Sequence, residues 1–121
     1  MPENRARKHH QERLGVALRE EVASIVESEL TDPRIGNASV TEVQLANDGK
    51  AAHVWVTIDG DDRELGRGLE GLMSAKGYIR REISERLGLR HPPELVFHVD
   101  KSRLHGNRIE ELLGRVTRRK R

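Results

Sequence analysis

Between Leu69 and Arg80 two amphipathic helices follow each other almost without interruption, and this constrains the fold more than any other stretch. Leu65, Leu69, Leu72 and Met73 recur at helical spacing before residue 75, and Ile79, Ile83 and Leu87 recur at i, i+4, i+8 after it. No turn-length loop separates the two patterns. With Ala75 and Gly77 as the small residues at the junction, a sharp change of axis is more economical than one long straight helix. Gly77 is the residue on which the break is expected to depend, because glycine tolerates dihedrals and close backbone approaches that a Cβ obstructs. A helix–kink–helix exposes a fresh helix N-terminus, which suits a phosphate.

The flanking elements follow from local pattern. Leu14, Leu18, Val22, Ile25 and Val26 form one stripe on a helix that starts near Asn4 and is stopped by Thr31-Asp32-Pro33 after Leu30. Ser39 to Leu45 alternates as a strand, Asn47-Asp48-Gly49-Lys50 is a hairpin turn, and Ala51 to Ile58 returns with Val54, Val56 and Ile58 on one face. Asp59-Gly60-Asp61-Asp62 supplies a loop and a helix cap. After the broken helix, Gly88 to Pro93 is a rigid connection into a strand, Glu94 to Val99, in which Leu95, Phe97 and Val99 share a face. Ile109, Leu112, Leu113 and Val116 suggest a short further helix. The order αββααβ, with a crossover through helices between two parallel strands, predicts an α+β fold with a three-stranded mixed sheet and all helices on one face.

Composition bounds the chemistry. The 121 residues suit one domain, expected over 1–114 and followed by a basic tail, 115–121. Cysteine is absent, so disulfides, thiol catalysis and cysteine-based zinc sites are excluded. The chain has neither an apolar signal region nor an apolar run of bilayer-spanning length, which predicts a soluble cytoplasmic protein without a membrane partner. The formal charge of +2 is unevenly placed: residues 1–13 carry +2, residues 115–121 carry +5, and the rest carry −5. Basic ends on an acidic middle point to a polyanion met by the ends.

The αββααβ order with its helix break resembles a type II KH-like domain. Arg34-Ile35-Gly36 after Asp32-Pro33, the Ala75-Lys76-Gly77 break, Tyr78-Ile79-Arg80, and Leu89-Arg90-His91-Pro92-Pro93-Glu94-Leu95-Val96-Phe97 fall in the order and spacing of the bacterial ribosome-binding factor A family. From about Arg5 to about Leu113 the chain resembles that family. The resemblance implies a monomeric, non-enzymatic cytoplasmic factor that associates with the free small (30S) ribosomal subunit and assists late maturation of 16S rRNA near its 5′ end, particularly in the cold. It also implies Ala75-Lys76-Gly77 in place of the GxxG loop with which an ordinary KH domain clamps a nucleic-acid backbone. The alternative is a general RNA-binding or protein-interaction module of the same fold without a role in ribosome assembly.

Other motifs carry less. Gly66-Arg67-Gly68-Leu69-Glu70-Gly71 fits GxGxxG, but it lies within a leucine-periodic helix and not at a strand-to-helix turn, so it predicts a closely packed helix and no dinucleotide site. His9, His10, His53, His91, His98 and His105 lack zinc-ligand spacing and read as scattered surface or RNA-facing histidines. Asp59, Asp61, Asp62 and Glu64 lack the EF-hand pattern and read as a solvated cap. No catalytic constellation, metal site or cofactor is expected.

Candidate RNA-binding residues form three groups. Lys76, Arg80 and Arg81 surround the break, with Arg81 on the far side of its helix and Arg80 at the edge of the apolar stripe, both within reach of phosphate oxygens. Ordinary pairing with Glu82 and Glu85 is the competing role for these cations. Arg5, Arg7, Lys8 and Arg13 at the N-terminus, and Arg115, Arg118, Arg119, Lys120 and Arg121 in the tail, would add affinity without sequence choice. Trp55 shares a face with His53 and Thr57, opposite Val54 and Val56, where it could stack on a base or a protein partner or simply cover the open sheet.

Overall fold

A computed structural model describes residues 2–100, with side chains from Lys8 onward. Helix α1 spans Pro2–Ser24 and continues into a π-helical turn, Ile25–Glu29; then come β1 (Ala38–Leu45), β2 (Ala51–Ile58), α2 (Asp62–Ser74), α3 (Lys76–Leu87) and β3 (Glu94–Val99). This is the αββααβ order expected. The further helix at Ile109 to Val116, the domain limit at residue 114 and the basic tail all lie outside the described residues.

The sheet has the order β1-β2-β3, with β1 antiparallel and β3 parallel to the central β2. Inward-facing Ala52, Val54, Val56 and Ile58 of β2 alternate with half-buried His53, Trp55 and Thr57. Against the inward face pack Leu18, Val22 and Ile25 of the first helix, Leu72 of α2, Ile79 and Ile83 of α3, and Leu95 of β3, all 0% exposed. These belong to one core cluster, so each helix has a single buried stripe and all helices share one face of the sheet.

Three local features shape this core. The π turn is closed by the Leu30 amide donating to the Ile25 carbonyl at 3.0 Å, one residue wider than an α-helical bond. Its Glu27 accepts from the Val40 amide of edge strand β1 at 3.2 Å, next to the bulge between Val40 and Glu42. Sequence periodicity held no sign of the π turn, since the buried pair Ile25 and Val26 also fits an α-helix. In α2, a methyl group added at Gly68 would lie 2.8 Å from Ile58 Cδ1, and one at Gly71 would lie 2.7 Å from Ile35 Cγ1. The glycine-rich helix is therefore closely packed, as expected, and not a dinucleotide loop. Its start is capped as anticipated: the Glu64 amide donates to Asp61 Oδ1 at 2.9 Å in a reciprocal capping box.

The placement of Met73 differs from expectation. Assigned to the apolar stripe by spacing, it is 58% exposed, and Leu72 alone of the two enters the core. At the last turn of α2, adjacent residues diverge in direction, and only one can face the sheet.

Candidate nucleic-acid interface

Ala75 carries the kink. It has φ −86° and ψ −4°, at the edge of the helical region, and its amide donates to the carbonyls of both Gly71 and Leu72 at 3.1 Å. The last turn of α2 tightens and stops there. The Ala75 carbonyl then accepts from the Ile79 amide at 2.9 Å and begins α3 directly. Gly77 does not have the role expected of it. It lies inside α3 with no positive φ, and a methyl group there would meet nothing within 4 Å. The break comes from the peptide geometry at Ala75 and from the burial of Leu72 and Ile79 on either side.

The new N-terminus of α3 has no side-chain cap and no acidic residue in its first turn. Its first amides and the positive end of its dipole are thus available to an anion, and Lys76 adds a full charge. Exposed Met73 and Tyr78, the latter 43% exposed, flank this point on the two helices. The Tyr78 hydroxyl donates to Glu82 Oε1 at 3.2 Å, and this bond pushes its pKa up. An aromatic face beside an uncapped helix start can stack on a base. The sequence offered no role for Tyr78 because its apolar neighbours Ile79 and Ile83 define the stripe.

Arg80 is more committed than its position on the stripe suggested. Its Nε–H donates to the Pro93 carbonyl at 3.1 Å and its Nη2 to the Pro92 carbonyl at 3.0 Å, bracing the turn before β3. Its Nη1 also lies 3.7 Å from Glu94 Oε2, while Lys76 Nζ lies 4.0 Å from Glu94 Oε1. Lys76 and Arg80 are therefore brought together around Glu94, not paired with Glu82 and Glu85. Glu82 instead approaches Arg86 at 3.6 Å, where Arg86 also holds Glu29 and, at 3.3 Å, Glu21. That network clasps α1, the π turn and α3. Arg86 holds the Glu29 carboxyl below its ordinary pKa, and the same pairing, Glu29 first, raises that of Arg86.

Arg34 is a further cation beside the kink. It forms a forked pair with Asp32 (Nη2 to Oδ2, 2.6 Å), and Nη2 also donates to Ser74 Oγ at 3.2 Å, one residue before Ala75. The side-chain bond from Arg34, helped by its amide, lowers the Asp32 pKa to about 2. The loop before β1 is thereby fixed to the end of α2.

The remaining candidates are dispersed. Arg81 is exposed on α3. Lys8 is exposed on α1 and lines a groove with Val43 and Asn47 at the β1–β2 hairpin, and Arg13 lines another with His9 and Val16. The side chains of Arg5 and Arg7, and Arg115, Arg118, Arg119, Lys120 and Arg121 entirely, lie outside the described residues.

Trp55 is stacked from within. Its ring lies 4.9 Å from that of His98 at 25°, and His53 Nδ1 lies 2.8 Å from His98 Nε2. The histidines at 53 and 98 are therefore not scattered; the parallel register sets His98 opposite Trp55 and diagonal to His53, so all three rings meet. No spacing rule finds a pair 45 residues apart. Among the described residues no group of three or more potential metal ligands occurs, and no helix is long and apolar enough to cross a membrane.

Residues 10–113 match the family model for ribosome-binding factor A. A ribosome-binding factor A from Koribacter versatilis is 54% identical over 118 residues, covering 98% of this chain and 96% of the relative. The crystal structure of ribosome-binding factor A from Thermus thermophilus superposes with a TM-score of 0.65 at 25% identity, over 74% of this chain and 93% of that one. A Thermus thermophilus homology model of the factor, fitted into a cryo-EM map of a 30S complex with it, gives a TM-score of 0.59 at 26% identity over 71% of this chain and 90% of that one. Sequence match along most of the chain and a shared α+β fold lead to one conclusion: this protein belongs to the ribosome-binding factor A family.

Proposed function

We propose that this protein binds the free 30S ribosomal subunit through the α2–α3 junction and assists late maturation of 16S rRNA near its 5′ end, a role of greatest weight in the cold. The observation that carries the reading is its likeness to the Thermus thermophilus factor fitted into a 30S complex. The junction supplies suitable chemistry: an uncapped helix N-terminus bearing Lys76, with Arg34 and Arg80 close by and Met73 and Tyr78 exposed beside it. With Ala75-Lys76-Gly77 where a GxxG clamp would stand, contact with a folded rRNA surface fits better than a grip on a single strand. Arg81, the N-terminal Arg5, Arg7, Lys8 and Arg13, and the five cations of the tail add affinity that depends on phosphates and not on sequence. The protein acts by binding, as a monomer in the cytoplasm, and catalyses no reaction.

Fractionating a cell lysate on gradients of rising salt tests this reading. Co-migration with free small subunits that is lost as salt rises is the expected result, with a log–log slope of roughly −0.7 to −0.9 per phosphate neutralised. Co-migration with no ribosomal particle would leave only the general RNA- or protein-binding alternative. Binding that is insensitive to salt would refute the electrostatic part.

A further inference from the structure

Glu94 is placed at the junction by rigid parts. Pro92 and Pro93 precede it, their carbonyls are held by Arg80, and its own amide donates to the Lys50 carbonyl at 2.8 Å as β3 begins. Its carboxylate consequently stands between the Lys76 ammonium at 4.0 Å and the Arg80 guanidinium at 3.7 Å, although its side chain is 58% exposed. A carboxylate so placed does what an incoming phosphate oxygen would do: it partly neutralises both cations and repels a second anion. We infer that Glu94 is a built-in competitor of phosphate at Lys76 and Arg80, and so a residue that limits the affinity of the junction for RNA. The inference rests on the proposed function, because it takes phosphate to be the anion that Lys76 receives.

Binding displaces the Glu94 carboxylate from at least Lys76, since one ammonium cannot hold both anions closely without bringing the two together. Arg80 keeps its bonds to the proline carbonyls and acts as a positioning residue that aims Glu94. Such negative elements raise discrimination by penalising partners that offer too few compensating contacts.

The test measures binding of the full chain to purified 30S subunits across a salt series, with thermal melts of every variant. Glu94→Gln keeps the shape and removes the charge. It is expected to melt like wild type and to tighten binding about two- to tenfold at low salt, the range for losing one or two exposed ion-pair competitors. The gain should shrink as salt rises. Glu85→Gln, an exposed charge on α3, controls for net charge and should gain less than about twofold. In a Lys76→Ala background the Glu94→Gln gain should fall, as coupled partners require. If wild type binds and Lys76→Ala weakens it, yet Glu94→Gln gains no more than Glu85→Gln, the inference is overturned and the proposed function stands. Absence of wild-type binding overturns both.

Discussion

Two glycines in consecutive helices allow one chemical change to be read against two environments. A methyl group at Gly71 would lie 2.7 Å from Ile35 Cγ1, and Ile35 is only 3% exposed, so the contact cannot be relieved by swinging into solvent. Overpacking of this kind costs about 1–3 kcal/mol. Against it stands the gain of about 1 kcal/mol that alanine brings over glycine within a helix. Gly71→Ala should therefore be neutral to about 2 kcal/mol less stable than wild type. At Gly77 a methyl group meets nothing within 4 Å and the backbone is helical, so Gly77→Ala retains the gain alone, about 0.4–1 kcal/mol. The helix-forming term largely cancels between the two variants, leaving the overpacking cost of about 1–3 kcal/mol as their difference. For a chain of 121 residues, each kcal/mol moves the melting temperature by about 3–6 °C. Thermal melts by circular dichroism read this directly, and Ile35→Ala supplies the cycle: in that background the extra penalty at Gly71 should vanish. A Gly71→Ala protein melting at or above Gly77→Ala would refute the packing argument. A destabilised Gly77→Ala would restore to Gly77 the role that the structure gives to Ala75.

Asp32→Asn should lower stability at neutral pH, and the deficit should close as pH falls. The Asp32 pKa is depressed from 3.8 to about 2, so its contribution is fully present above about pH 4 and is lost toward pH 2; melts across that range check it. Arg86→Met leaves Glu21, Glu29 and Glu82 facing one another without their shared cation, so its melting temperature should drop, and more at about 0.05 M than at about 0.5 M salt. Deleting residues 115–121 removes five positive charges and only Val116 from the apolar pattern. Cooperative unfolding should persist while the salt dependence of 30S binding becomes shallower, by up to about 0.7–0.9 per lost phosphate contact; loss of cooperative melting would show that the end is structural.

The secondary structure was legible because its causes are local. Alternation in Ala51 to Ile58, the Asn47-Asp48-Gly49-Lys50 turn, the Asp61 to Glu64 cap and the twin stripes around residue 75 each lie within a few residues of chain, and each appears in the structure. The position of the break was legible for the same reason. Its mechanism was not: two small residues both suit a kink, and only the burial of Leu72 and Ile79 shows that the axis changes at Ala75 while Gly77 stays helical with Met73 outside.

What the sequence alone determined, then, is the order and type of the elements, the glycine-lined packing of α2 and the presence of cations at the junction. Tertiary structure decided which charges meet. Arg80 turns to the carbonyls of Pro92 and Pro93, Glu94 comes between Lys76 and Arg80, Arg86 gathers Glu21 and Glu29, and His98 joins His53 and Trp55. Each of these depends on the parallel register of β3 on β2 or on the seat of α3 against β3 and α1. Those are long-range arrangements, fixed by burial of the shared core. A charge interaction falls off within several ångströms, so a pairing that local spacing cannot express is settled only when the core brings distant segments together.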